Sequence, residues 1–342
     1  MGHHPVQVCL VGCGKWAACH AAMLRKMPRK VVFSFSSRDL GKAEEYCRRF
    51  GGSKAYNGLH AVLEDPDVDA VLLWTPPSNH MEEVEMAAKA GKAICVEKPL
   101  ARCVEEGRKI ITICRDHGVL LLVGENFHYS PPVRLAKDII NSGAIGKVLT
   151  IKAKGASNTI WSEWRKDLDT AGGGVLLDEG IHYLYVLRSW AGNPIRFKHV
   201  SLQKLASRSV EDIAEIELVM DRAANVSLSL SRGTGEEHIS PWFHVIGDEG
   251  SLTLDYGASF LRVEGKKRSI RFIGTPSGLL ARVFEKDRFG RKAILQDFVS
   301  SIKRGGVPQM NGEEGLHDLE FVMAAYEHAR VSKGQLAGNP TT

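Results

Sequence analysis

Short apolar runs alternate with longer mixed segments over the first third of the chain. Val6–Val11 (VQVCLV), Val31–Ser36, Ala70–Trp74, Ala93–Val96 and Val119–Val123 each have the length of a buried strand. Between them, Ala18–Met27, Asp39–Phe50, His80–Ala90 and Ala101–His117 read as helices. Asp39 is a suitable N-cap for its helix, and Gly51-Gly52 stops it. Gly91 and Gly118 close the later two, and Val104, Ile111 and Cys114 share one helical face. Short strands alternating with helices predict a parallel, doubly wound α/β sheet.

The pattern changes after about residue 125. Ile139–Ile145 closes a helix and Val148–Lys154 begins an extended region. Ile216 and Leu218 are framed by Glu215 and Glu217, while Val226, Leu228 and Leu230 interleave with Ser227, Ser229 and Ser231. Strict alternation predicts antiparallel strands with one face toward solvent or a partner. Phe243–Ile246, Ser251–Leu254, Phe260–Val263 and Ile270–Ile273 extend the series. Two helices close the chain, the last with a Leu316, Leu319, Met323, Tyr326 stripe that reads as core.

Length and composition narrow the class. A chain of 342 residues accommodates two domains with real cores. A hydrophobic content of 44% with 25% charged residues is that of a globular protein. The net charge of +5 gives a weak preference for anionic ligands and no argument for nucleic acid. No apolar run has the length of a membrane helix, and the start, Met1 to Pro5, lacks a signal-peptide pattern. The seven cysteines lie between Cys9 and Cys114 without a metal-type spacing, so a reducing cytoplasm and no metal are expected.

Four stretches carry candidate chemistry. Gly12-x-Gly14-x-x-Ala17, with Lys15 and Trp16 inside it, follows a strand and opens a helix, the setting of a Rossmann dinucleotide turn. At the end of the second strand, where NAD sites carry an acid, stand Ser37 and Arg38. A hydroxyl beside a guanidinium suits a 2′-phosphate, which favours NADP(H) over NAD(H). The competing reading makes Arg38 a solvated charge and Asp39 a helix cap or ribose ligand. Glu97-Lys98-Pro99 ends an apolar strand, where open α/β sheets place ligand chemistry; alone it is also compatible with a surface turn. Lastly, Gly172-Gly173-Gly174 precedes Asp178 and His182 at i, i+4 on one helical face. This pair is either a proton-handling couple or a surface ion pair.

Taken together and in order, these motifs resemble the Gfo/Idh/MocA oxidoreductases, which include glucose–fructose oxidoreductase and inositol dehydrogenase. Thr75-Pro76-Pro77-x-x-His80, Trp164-Arg165, Val210-Glu211-Asp212, Gly247 to Leu252 and Gln296-Asp297-Phe298 add to the likeness, which spans essentially the whole chain. The resemblance implies a Rossmann domain at 1–124 and a substrate-binding α+β domain at 125–342 with a large, mostly antiparallel open sheet. It implies Lys98, Asp178 and His182 as the catalytic group, in a cleft between the domains. Thr75, Pro76, His80 and Glu97 would lie by the cofactor with Gly12, Gly14, Lys15, Trp16, Ala17, Ser37, Arg38 and Lys98. Asn126, His128, Trp164 and Arg165 would face substrate with Asp178 and His182, and Tyr129 stands beside them. Pro99 is expected to be cis. The implied activity is hydride transfer between a nicotinamide and a secondary alcohol or ketone of a sugar, nucleotide sugar or cyclic polyol, in a homodimer or homotetramer built through the second sheet. Cofactor-assisted glycoside hydrolysis, a non-catalytic NADP sensor, and dihydrodiol or bile-pigment reduction are the alternatives.

Two departures stand out. Many relatives carry an Asp three residues after the His, where this chain has Tyr185, so a carboxylate is missing. The hairpin Asp221 to Asn225 lacks glycine. The basic stretch 282–292 reads as a solvated loop, a subunit contact or a flap for an anionic substrate.

Overall fold

The computed structural model describes residues 4–158, 161–205, 209–235, 237–256, 260–265, 268–273, 287 and 289–337. It forms two compact units, residues 1–126 with 290–319, and residues 127–289 with 320–342.

The first unit holds a six-stranded sheet of β1 (Val6–Val11), β2 (Val31–Ser37), β3 (Ala55–Asn57), β4 (Ala70–Leu73), β5 (Ala93–Val96) and β6 (Leu121–Val123). All pairs are parallel, in the order β3-β2-β1-β4-β5-β6. Order reverses beside β1, so the carboxyl ends of β1 and β4 flank a topological switch point. The helices are α1 (Lys15–Leu24), α2 (Leu40–Phe50), α3 (Gly58–Leu63), α4 (Pro77–Lys89) and α5 (Val104–Asp116). Asp39 caps α2 by accepting from the Lys42 N–H at 3.3 Å, and Gly51 ends it in the left-handed conformation with φ 79°. Helix α1 starts at Lys15 rather than Ala18, because Gly14 is already its N-cap. The pair β3 and α3 escapes the apolar pattern, since a strand of 3 residues has no period to read.

A segment from the far end of the chain groups with the first unit. Helix α9 (Arg291–Arg304) and the residues up to Leu319 belong to the first unit. The Arg291 guanidinium lies 4.9 Å over the Trp16 ring of α1. The Val123 N–H donates to the Met310 carbonyl at 2.8 Å, and Leu122 bridges Asn311 as a further β-contact. A segment that returns to an earlier sheet leaves no mark on a linear hydrophobic pattern.

In the second unit, α6 (Pro131–Asn141), α7 (Leu168–Ala171) and α8 (Ile181–Ala191) accompany an eight-stranded sheet. Its strands are β7 (Val148–Ser157), β8 (Pro194–Gln203), β9 (Ile213–Met220), β10 (Ala223–Arg232), β11 (Ile239–Gly247), β12 (Gly250–Asp255), β13 (Phe260–Gly265) and β14 (Arg268–Ile273), in the order β14-β13-β12-β11-β7-β10-β9-β8. Among these described strands, only β7 and β10 pair in parallel. Val226, Leu228 and Leu230 are buried under α8, whose Tyr183, Leu187 and Trp190 join the same core, with Tyr183 and Trp190 against Phe243. The opposite face carries the serines and glutamates. The glycine-free hairpin at Asp221 is held from outside, its Asp221 and Arg222 N–H groups donating to Asn193 and Ala191 carbonyls at 3.0 Å. The last helix, α10 (Gly312–Ala337), spans both units in sequence. No described helix is long and apolar enough to cross a membrane. Residues 282–286 and 288 of the basic stretch lie outside the described residues.

Candidate functional site

The first unit gathers one group of residues at the carboxyl ends of β1, β2, β4 and β5. Gly12 has φ +94°, and a Cβ there would stand 2.7 Å from the Trp74 carbonyl oxygen. Glycine is therefore required for conformation and for space. Its N–H donates to the Ser36 carbonyl at 2.9 Å, tying the turn to β2. Gly14 is exposed and caps α1 without any side-chain bond, and a Cβ there would meet nothing within 4 Å. Ala17 is fully buried against the sheet. An uncapped helix start under an open glycine is a ready anion cradle.

Beside it, the Ser37 hydroxyl accepts from the Asp39 N–H at 3.2 Å, and Arg38 is exposed. Asp39 is engaged as the cap of α2. Lys15 is exposed and Trp16 half-buried. Among the described residues, the buried Ser36 hydroxyl and Trp74 indole N–H find no hydrogen-bond partner. These features fit a dinucleotide: open amides for a diphosphate, then a hydroxyl and a guanidinium in the place of an acid.

Thr75 and Pro76 precede α4, with the Thr75 hydroxyl donating to Glu83 at 2.5 Å. Burial raises the Glu83 carboxyl, against the pull of that bond. His80 follows on α4. It is fully buried, with Nε2 at 3.1 Å from the Thr75 carbonyl and Nδ1 at 3.1 and 3.3 Å from those of Pro99 and Leu100. Its apolar surroundings lower its pKa. The ring lies between the Thr75 turn and the Lys98 turn, on the inward face of α4, and its one N–H in the neutral form donates to one of these carbonyls. Lys98 is 8% exposed, and the Lys98-Pro99 bond is cis, as expected. Gly124 makes room for Glu97, whose Oε2 would be 2.5 Å from a Cβ there.

The second unit carries the other group. Leu168–Ala171 ends at Gly172 in the left-handed conformation, and the chain then makes a π-helical turn, Leu176–Gly180, that leads into α8. Asp178 sits on that turn and His182 just beyond it, in place of one regular helix. Such widened turns occur often at functional positions. One Asp178 oxygen accepts from Arg165 Nε at 2.9 Å and from Arg232 Nη1 at 2.5 Å, and Arg232 reaches Glu179 at 3.1 Å. Each guanidinium lies on an indole, Arg165 on Trp164 at 4.1 Å and Arg232 on Trp161 at 4.4 Å. Stacked forks of this kind are held in plane, and they fix the carboxylate. His182 stacks on Phe127 with ring centroids 4.8 Å apart. His128 Nδ1 is 3.0 Å from the Tyr185 hydroxyl, so Tyr185, where an Asp was expected, is a buried phenol paired with imidazole. Asn126, the last residue of the first unit's opening stretch, begins the short helical turn Asn126–Tyr129 and is half-buried; Tyr129 is buried.

Four residues of this group escape the sequence reading. Arg232 ends an alternating strand, Trp161 precedes Trp164, Tyr326 passes for core, and Glu211 for a sheet residue. The triple glycine held the usable signal for the last two. A Cβ on Gly173 would lie 2.5 Å from the Tyr326 oxygen, and one on Gly174 would overlap the Glu211 carbonyl oxygen.

Comparison with known proteins agrees with both units. A model of an oxidoreductase family with an NAD-binding Rossmann fold matches residues 6–125, and a GFO/IDH/MocA C-terminal domain matches residues 133–253. The chain is 30% identical over 303 residues to a dTDP-3,4-didehydro-2,6-dideoxy-alpha-D-glucose 3-reductase of Streptomyces violaceoruber, covering 85% of each. It is 24% identical over 348 residues to a D-xylose 1-dehydrogenase [NADP(+)] of Haloarcula marismortui, covering 95% of this chain and 91% of that one. Among solved structures, a levoglucosan dehydrogenase in complex with NADH and levoglucosan superimposes with a TM-score of 0.82 at 25% identity, over 95% of this chain and 97% of that one. Relatives thus include proteins named for each nicotinamide cofactor. Matched by both family models in order, the chain belongs to the GFO/IDH/MocA oxidoreductases.

Proposed function

We propose that this oxidoreductase moves hydride between NADP(H) and a secondary alcohol or ketone of a sugar, nucleotide sugar or cyclic polyol. The observation that carries the reading is the open, uncapped Gly14 turn on the same sheet edge as Lys98, since β1 and β5 both flank β4. That arrangement supports a dinucleotide with an ammonium near its reactive end. The sugar class is drawn from the relatives, which are named for nucleotide-sugar and pentose substrates.

The bound nicotinamide supplies the hydride acceptor or donor. In the oxidation direction, His182 takes the hydroxyl proton, its ring plane set by the Phe127 stack. Lys98 stabilises the alkoxide, and Asp178, fixed by Arg165 and Arg232, positions substrate. Reduction retraces these steps. Ser37 and Arg38 receive the 2′-phosphate, and Asn126, His128 and Trp164 contribute to substrate contacts.

The test is a screen of sugars, nucleotide sugars and inositols against NADP⁺, NAD⁺ and their reduced forms, followed at the nicotinamide absorbance. Turnover of one carbohydrate class is expected. Sugar release without a net absorbance change would point instead to cofactor-assisted hydrolysis. Fluorescence titration with NADPH and NADH checks the cofactor: equal affinity, or tighter NADH, removes the argument from Ser37 and Arg38.

A further inference from the structure

Glu211 is a heavily engaged buried carboxylate of the second unit, and the proposed mechanism does not use it. It is 6% exposed. Its side chain accepts from the Gly174 N–H at 3.1 Å on both oxygens, from the Leu176 N–H at 3.0 Å and from the Tyr326 hydroxyl at 2.7 Å. Its own carbonyl accepts from the Val175 N–H at 3.0 Å. Three successive amides, Gly174 to Leu176, thus end on one residue. They are the start of the π-helical turn that carries Asp178, and the Gly174 carbonyl in turn accepts from the Asp178 N–H at 2.9 Å.

The neighbouring residue holds the other side of the Asp178 ion pair. The Asp212 carbonyl accepts from the Arg232 N–H at 2.9 Å. The Asp212 carboxylate accepts from the Leu205 N–H at 3.0 Å, which fixes the dipeptide to the end of β8. So the Glu211-Asp212 backbone is bonded to the segment bearing Asp178 and to the residue bearing its guanidinium partner. The fit leaves no slack at Gly174, where any Cβ would overlap the Glu211 carbonyl oxygen. An apolar residue at 211 would take the acceptor from the buried Leu176 N–H and from the Tyr326 hydroxyl, and would leave the Gly174 N–H with the Tyr326 oxygen at 3.2 Å alone, a cost that packing does not offset.

We propose that Glu211, with Tyr326, is a positioning residue for the reaction: it sets the place of Asp178 through the Gly174–Leu176 amides without touching substrate. The inference rests on the proposed role of Asp178. Burial raises the Glu211 carboxyl, with the Tyr326 bond and the amides pulling the other way. The Tyr326 phenol is pushed well above its ordinary range, first by burial and then by the Glu211 charge, so it stays a donor.

The experiment is a double-mutant cycle on the full chain with Glu211→Ala, Asp178→Ala and the pair, using the best substrate of the screen. Cofactor affinity by fluorescence is the control for folding of the first unit, and near-ultraviolet dichroism for the second. Glu211→Ala is expected to lower kcat by roughly 30- to 300-fold with KM changed less than about threefold, and the pair to be no slower than Asp178→Ala alone. Glu211→Gln, which keeps an acceptor for Leu176 and Tyr326, restores turnover to within about tenfold, and Tyr326→Phe loses about fivefold. These two milder variants carry the test if Glu211→Ala does not fold. Losses that multiply in the pair overturn the proposal, as does Glu211→Gln or Tyr326→Phe destabilising the fold with unchanged kcat. If Asp178→Ala alone keeps full turnover, the reading of Asp178 fails by itself; a Glu211→Ala loss persisting in that background then overturns the positioning role separately.

Discussion

Lys98 is 8% exposed, carried at the end of a buried strand and followed by a cis proline, so little of the residue meets solvent. A Lys98→Met variant keeps most of the stem and removes the charge. Its kcat is expected to fall about 10²–10⁴-fold with cofactor affinity within a few-fold of the natural chain; near-normal turnover would take Lys98 out of the mechanism. His20 makes a different kind of prediction. It is buried, stacks on Trp74 at 4.5 Å and bonds the Trp16 carbonyl at 3.1 Å. Burial first, and then the Arg291 charge, lower its pKa to about 4. In the unfolded chain it takes a proton near 6.5. Below that value the unfolded state binds the extra proton and the native state does not, so stability falls as pH drops from about 6.5 toward about 4. The full loss is about 3 kcal/mol. Denaturant titrations across that window compare the natural chain with His20→Phe, which keeps a ring against Trp74; an equal slope in both would refute the assignment.

Glycines mark the elements at which sequence and structure met unevenly. The strand–turn–helix of Gly12, Gly14 and Ala17 was legible because its spacing, its strand and its helix are all local. The parallel sheet followed from apolar runs for the same reason, as did the Asp39 cap. The triple glycine was legible only as an anomaly, because what crowds it, Glu211 and Tyr326, lies 37 and 152 residues away in sequence. The Arg232–Asp178 pair is 54 residues apart and just as silent. The burial of His80 was silent too, since a histidine in a helix does not announce which face is inward. These differences make opposite predictions for two Gly→Ala changes. Gly14→Ala meets open space at φ −106° and should leave the melting temperature nearly unchanged. If diphosphate approaches there, it weakens cofactor binding by about tenfold or more. Gly174→Ala drives a methyl into backbone and should cost about 1–3 kcal/mol or prevent folding, with no direct effect on cofactor affinity. Calorimetry and fluorescence titration separate the two; a destabilised Gly14→Ala with unaltered affinity would remove the cradle reading.

At the scale of the whole molecule, the solvated face of the second sheet has a charge order that a second copy of the chain can answer. Strand register puts Glu215 beside Ser229 and Ser229 beside Lys154, and likewise Glu217, Ser227 and Lys152. An acidic row on β9 and a basic row on β7 therefore run side by side, separated by the serine row of β10, about 5 Å from each. The four charged residues are exposed, and Lys154 lies 4.8 Å over Trp242, which extends the surface with an aromatic face. A two-fold axis through the serine row would lay the glutamates of one copy over the lysines of the other, the self-complementary pattern a symmetric dimer needs. Sedimentation at micromolar concentration is expected to show a dimer or larger assembly that weakens as salt rises. Reversing the basic row with Lys152→Glu and Lys154→Glu sets like charges face to face and should dissociate it. Adding Glu215→Lys and Glu217→Lys to the same chain exchanges the two rows and should restore the assembly, which no account based on folding damage would predict. A chain that sediments as a monomer, or whose assembly ignores the reversal, would exclude this face as the contact.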